Sequence, residues 1–189
     1  MKPNIKNEII ELVYNITPFD EIEKLHIADT LDWINSGAEI FRIKKHAIPP
    51  KHLVSYFILV DQKENKILLI DHIRAQRWIP TGGHVEINEH PKTTVEREII
   101  EELNTKAIFL FDDIFFLAQA VTVGLTAGHT DVSLWYVLKG DSSRPIQYDE
   151  GEFNGYKWFT YDEILNISIE KLDKNLHRFV NKLIVKLDK

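Results

Sequence analysis

Apolar and polar residues change rhythm along the chain, and the changes mark its elements. Between residues 5 and 36 apolar positions recur at helical spacing in two pieces, "IKNEIIELVYNI" and "TPFDEIEKLHIADTLDWINSG". Thr17 is the expected N-cap of the second piece, with Pro18 at its first helical position and Gly37 as its stop. Ile27, Leu31 and Ile34 share one face, so this helical arm should pack on the main domain or on a dimer partner. After Pro50 the rhythm becomes that of strands. Leu53 to Val60 and Lys66 to Ile70 are short β-rich runs around a polar turn, "DQKEN", which predicts a hairpin. Further strands are expected at Ala107 to Phe111, Phe115 to Val123 and Asp131 to Leu138. "YKWFTYDEI" should enter another strand and a short helix, with a hairpin turn before it at Asn154-Gly155. An amphipathic helix, "KLDKNLHRFVNKLIVKL", closes the chain, with Leu176, Phe179, Val180, Leu183 and Leu187 on its apolar side. The expected fold class is α/β (α+β), a mixed β-sheet packed between helices. Residues 1–46 would form the helical extension and residues 47–189 the main domain.

Composition narrows what such a domain does. With 189 residues, 44% of them hydrophobic, the chain can bury a substantial core. A net charge of -6 and the lack of a basic stripe argue against nucleic acid as a partner, while leaving room for a phosphorylated ligand whose charge metal ions offset. The chain contains no cysteine, which removes disulfides, thiolate metal sites and a cysteine nucleophile. No run approaches the ~18 apolar residues of a membrane span. The expected location is cytoplasmic, with no membrane partner.

One segment, "IPTGGHVEINEHPKTTVEREIIEELN" (Ile79 to Asn104), holds the candidate chemistry. Pro91 suits the first position of a helix, and Asn104, tolerant of the left-handed conformation, suits its end. Val95, Ile99 and Leu103 form a core-facing stripe. Beside it, at ~100° per residue, Glu98, Glu101 and Glu102 fall within one arc near the helix C-terminus. Like charges repel there and the helix dipole disfavours them, so a cation should be present. Hard divalent cations select such oxygen ligands. "TGGH" (Thr81 to His84) reads as a flexible turn whose backbone could face metal or phosphate. Taken singly, each feature is also what a solvated helix face or an ordinary turn looks like.

Their spacing is more specific. From Gly83 the chain runs through Glu89, Arg97-Glu98-Ile99 and Glu101-Glu102, which resembles the Nudix box, G-x5-E-x7-R-E-U-x-E-E-x-G-U with U a bulky aliphatic residue. Asn104-Thr105 replaces the terminal Gly-U pair. The resemblance implies a Nudix-type α/β/α sandwich and a pyrophosphohydrolase that uses Mg²⁺ (or Mn²⁺) to cleave a diphosphate linkage by water attack. The substrate would be a nucleoside diphosphate derivative, either a nucleoside triphosphate or a nucleotide sugar. The carbonyl of Gly82 and the carboxylates of Glu98, Glu101 and Glu102 would hold metal, and Glu89 with Arg97 would orient them. Glu98 is the expected general base. Glu152 is either a catalytic loop carboxylate or an ordinary acidic loop residue. Gly83, His84 and Arg74 are the expected substrate contacts. For His129, which alternates with Asp131, a hydrogen-bonded strand-end role is favoured over a ligand role; Trp78, Trp135 and Tyr136 are read as core before base-stacking. The competing function is a non-catalytic Nudix-fold binding or regulatory module, against which the retained carboxylates count. A fold-related isoprenoid diphosphate isomerase is disfavoured by the lack of cysteine. Val121 and Thr122 stand where some Nudix branches carry a diagnostic proline or tyrosine, so the substrate is open.

Overall fold

A computed structural model describes residues 4–44, 47–123, 125 and 127–188. Two helices, α1 (Ile5–Tyr14) and α2 (Glu21–Asn35), precede a seven-stranded mixed sheet. Its strands are β1 (Lys51–Asp61), β2 (Lys66–His72), β3 (Arg77–Ile79), β4 (Thr81–His84), β5 (Phe116–Val121), β6 (Thr130–Lys139) and β7 (Phe153–Thr160). Helix α3 (Pro91–Leu103) follows β4, and α4 (Tyr161–Asn166) and α5 (Leu176–Leu187) close the chain.

Along β1 and β6 the alternation of side chains divides the core in two. Leu53, Phe57 and Leu59 of β1, with Leu134, Tyr136 and Leu138 of β6, join Val95, Ile99 and Leu103 of α3 and Ile9, Val13 and Ile34 of the first two helices. Ile58, Val60, Trp135 and Val137 point the other way, onto Ile164 of α4 and Leu176, Phe179, Val180 and Leu183 of α5. The sheet is therefore covered on both faces, an α/β/α sandwich. That explains why its central strands read as continuous apolar runs.

The hairpin of β1 and β2 is splayed, and this shapes the molecule's main cleft. The two strands pair only near their turn, at Val60–Ile67 and Asp61–Lys66. Beyond it they diverge, β3 pairing with β2 and β4 with β1. β1 also runs parallel to β6 along ten registered pairs, from Lys51–Thr130 to Val60–Lys139.

Several local expectations are corrected. The N-cap of α2 is Asp20, whose carboxylate accepts from the Glu23 amide; Thr17 and Pro18 lie in the link before it. "TGGH" is strand β4, because pairing with Val54 to Phe57 of β1 supplies the order its glycines lack. Ala107 to Phe111 forms no strand, its one ladder contact being the Phe109–Leu138 bridge. Asn154 and Gly155 lie inside β7, where Gly155 pairs with Asp71, and the final helix starts only at Leu176.

The helical arm docks on its own chain. Glu23, fully buried, accepts from the Leu117 amide on β5 at 3.1 Å and from Lys182 Nζ on α5 at 2.8 Å. Asp20 takes both prongs of Arg178, at 2.6 and 2.7 Å. No helix among the described residues is long and apolar enough to cross a membrane.

Candidate functional site

Helix α3 is built to hold carboxylates against β4. Pro91 opens it, and Asn104 closes it in the left-handed conformation with φ 47°. The Asn104 amide donates to Ile100 and that of Thr105 to Ile99, so the departure from glycine preserves the helix end. Valine, isoleucine and leucine every fourth residue pin one face to the core, which fixes where the glutamates point.

Glu102 is 7% exposed, and its Oε2 accepts the Gly82 amide at 2.9 Å. Burial, the nearby Glu98 carboxylate and, more weakly, Glu152 and Glu101 push its pKa well above the ordinary range. Glu98 is also raised, first by burial, with Arg97 acting in the opposite sense. Arg97 Nη1 donates to Glu98 Oε1 at 2.6 Å, and its Nε and Nη2 donate to the two oxygens of Glu89 at 3.1 Å. Burial opposes the charge on Glu89, but Arg97, the Glu86 amide and Thr94 hold its pKa below the usual value. The expected Glu89–Arg97 pair is thus present as a two-pronged brace. Glu101 is the exposed member, 3.6 Å from Arg97.

Two observations bear on whether this arrangement fits a divalent cation. A Cβ on Gly83 would collide with the Glu98 carboxylate, so the glycine is what lets that carboxylate lie on the strand. The single guanidinium of Arg97 neither relieves the burial of Glu102 nor contacts it. Oxygen donors alone, crowded and short of positive charge, fit a hard cation. Gly82 meets Glu102 through its amide, whereas the sequence pointed to its carbonyl.

A cleft of about 1100 Å³ opens above these residues, large enough for a nucleotide-sized ligand. Glu98, Glu101, Glu102 and Arg97 line it, together with Gly82, Gly83, His84, Arg74 and Glu152. Glu152 is exposed at the foot of β7, yet its charge reaches both Glu98 and Glu102. His84 is held neutral, its pKa lowered to about 3 by burial and by Arg42, whose Nη1 lies 3.1 Å from Nε2. Trp135 and Tyr136 are buried, and Trp78 packs edge-on against Phe159 at 5.2 Å; none of the three lines the cleft.

The NUDIX domain model matches residues 51–183, which is most of the chain. The chain belongs to the NUDIX family. It is accordingly a Nudix pyrophosphohydrolase. A MutT-like protein of Streptomyces ambofaciens is 27% identical over 116 residues, covering 61% of this chain and 69% of that protein. Among solved structures, a MutT protein from Methanosarcina mazei Go1 aligns with TM-score 0.55 at 20% identity, over 72% of this chain and 95% of its own. A NUDIX-family hydrolase from Clostridium perfringens gives TM-score 0.54 at 20% identity, over 71% and 97%. A UDP-X diphosphatase gives TM-score 0.51 at 15% identity over 96% of this chain and 92% of its own, so its alignment takes in most of the helical arm as well.

Sequence reasoning missed Arg42, which lines the cleft, and His52, fully buried behind its wall. His52, on β1, meets His129 and Asp131 only through the parallel β1–β6 pairing, which registers it beside Asp131. No spacing within the chain signals that contact. The alternation of His129 and Asp131 does signal their shared direction: His129 Nε2 lies 3.2 Å from Asp131 Oδ1.

Proposed function

We propose that this Nudix enzyme hydrolyses a diphosphate linkage in a nucleoside diphosphate derivative, a nucleoside triphosphate or a nucleotide sugar, with Mg²⁺ or Mn²⁺ held by α3. The observation that carries the reading is Glu102, a buried carboxylate beside Glu98 with too little positive charge around it. Glu98 and Glu102 are the principal ligands, with Glu101 and the Gly82 carbonyl completing the set. When bound, the cation neutralises phosphate oxygens and lowers the pKa of an attacking water. Arg97 and Glu89 hold the carboxylates in position. Glu98 accepts the proton of the attacking water: burial raises its proton affinity toward that task, and its Oε2 is not the oxygen bound by Arg97. Glu152, exposed at the same cleft, assists in substrate approach or serves as the alternative base. Arg74, His84 and the Gly83 backbone contact the phosphates.

A panel of nucleoside triphosphates and nucleotide sugars, UDP-linked ones included, tests this with and without Mg²⁺. Turnover should require the cation, and Glu98→Gln should lower kcat by about 10²-fold or more. Undiminished activity in that variant would overturn the role of Glu98. Loss in Glu152→Gln, with Glu98→Gln still active, would move the base to the loop.

A further inference from the structure

A second group of ligating atoms stands on the wall of the cleft, apart from the glutamates. His52 is fully buried, and its Nδ1 lies 2.9 Å from the Pro49 carbonyl. A carbonyl only accepts, so Nδ1 is the donor there and Nε2 is the ring atom left facing inward. That Nε2 lies 3.3 Å from Asp131 Oδ1, and His129 Nε2 approaches the same oxygen at 3.2 Å. Despite this closeness neither His52 Nε2 nor Asp131 Oδ1 has an aligned hydrogen-bond partner among the described residues. One buried ring nitrogen and one buried carboxylate oxygen thus face each other without an aligned hydrogen bond, and a second ring nitrogen, that of His129, points at the same oxygen. Buried polar atoms left in this state are costly.

We propose that His52 Nε2, His129 Nε2 and Asp131 Oδ1 form a binding site for a first-row transition-metal ion of the Zn²⁺ class, with a fourth coordination position open to the cleft. The two nitrogen–oxygen separations suit it, and all the donor atoms lie within 4.8 Å of one another: bonds of about 2.0–2.1 Å in a tetrahedron place neighbouring donors roughly 3.3 Å apart. Imidazole nitrogen with one carboxylate is a donor set that such ions take, in contrast to the all-oxygen set of α3. The supporting contacts are those of metal-binding imidazoles. His52 gives its other nitrogen's proton to a backbone carbonyl, and His129 Nδ1 lies 3.1 Å from the Thr122 hydroxyl. His84, whose ring centroid is 4.9 Å from that of His52, flanks the site while bonded to Arg42. Asp131, His129 and His84 also line the cleft, so the open position is reachable from solvent.

The test uses the full chain stripped with EDTA and titrated with Zn²⁺ by calorimetry, with Mg²⁺ in excess so that hard-cation sites are filled. One equivalent of Zn²⁺ should bind. His129→Ala and Asp131→Asn should each weaken it by about tenfold or more, since losing even a supporting residue costs that much. Glu102→Gln should leave it unchanged. Co²⁺ in place of Zn²⁺ should give a visible absorption band that His129→Ala abolishes. Melting curves of the metal-free variants check that they fold, and His129, at the cleft surface, is the safer of the histidines to replace. Absence of Zn²⁺ binding under excess Mg²⁺ overturns the site. So does binding that survives both variants or is lost in Glu102→Gln.

Discussion

At the scale of single residues, Gly83 and Glu102 show how one strand and one helix share a small volume. Gly83 has no Cβ where the Glu98 carboxylate lies, and the neighbouring Gly82 amide reaches Glu102. Glu102→Gln removes the buried charge while keeping the amide's acceptor. The metal-free variant should therefore melt no lower than the parent, lose the stabilisation that Mg²⁺ confers on the parent, and lose about 10²-fold or more in kcat. Thermal melts with and without Mg²⁺ check the first two; a parent unmoved by Mg²⁺ would show that no cation binds there. Arg97→Lys keeps the charge but not the fork that grips Glu89. It should cost about tenfold in kcat/KM with little change in Tm, because a lysine cannot brace two carboxylates at once.

At the scale of elements, the contact between the helical arm and the sandwich depends on two acidic residues. Glu23 is buried, and Lys182 finds its partner there. Glu23→Ala leaves that ammonium half in the core without a counter-charge and strips an acceptor from the Leu117 amide. A loss of about 3 kcal/mol is expected in denaturant unfolding at neutral pH; less than about 1 kcal/mol would mark it as an ordinary surface pair. Asp20 caps α2 and grips Arg178, and the hydrogen bond to Arg178 is the main reason its pKa falls to about 2. A carboxylate with a depressed folded pKa stabilises above its unfolded value and ceases to do so as pH falls through the folded one. The stability gap between the parent and Asp20→Asn should thus be flat near neutral pH and close between about pH 4 and 2. A gap persisting undiminished at pH 2 would show that the charge pairing with Arg178 does not carry it, since asparagine caps a helix about as well as aspartate.

At the scale of the molecule, one core cluster joins Ile9, Val13 and Ile34 of the arm to β1, α3 and β6. The boundary expected near residue 46 is therefore not a boundary of packing: the arm contributes core residues to the face that also carries α3. The full chain should unfold in a single cooperative transition, with helical and tertiary signals coinciding. Two separated transitions would make residues 1–46 an independent unit.

The sequence by itself determined the carboxylate helix and its cap, because those relations are local: helical geometry makes spacing equivalent to position. The pairing of Arg97 with Glu89, which precedes the helix, was implied only by the resemblance to the Nudix box. It also determined the central strands, whose burial on both faces leaves an unbroken apolar run. Tertiary structure decided the rest. Thr81 to His84 is a strand only because β1 offers it an edge, and Ala107 to Phe111, apolar enough to pair, finds just one bridge. The meeting of His52 with His129 and Asp131 depends on parallel register between β1 and β6. No period within either segment encodes that register, so only the folded sheet could bring the three together.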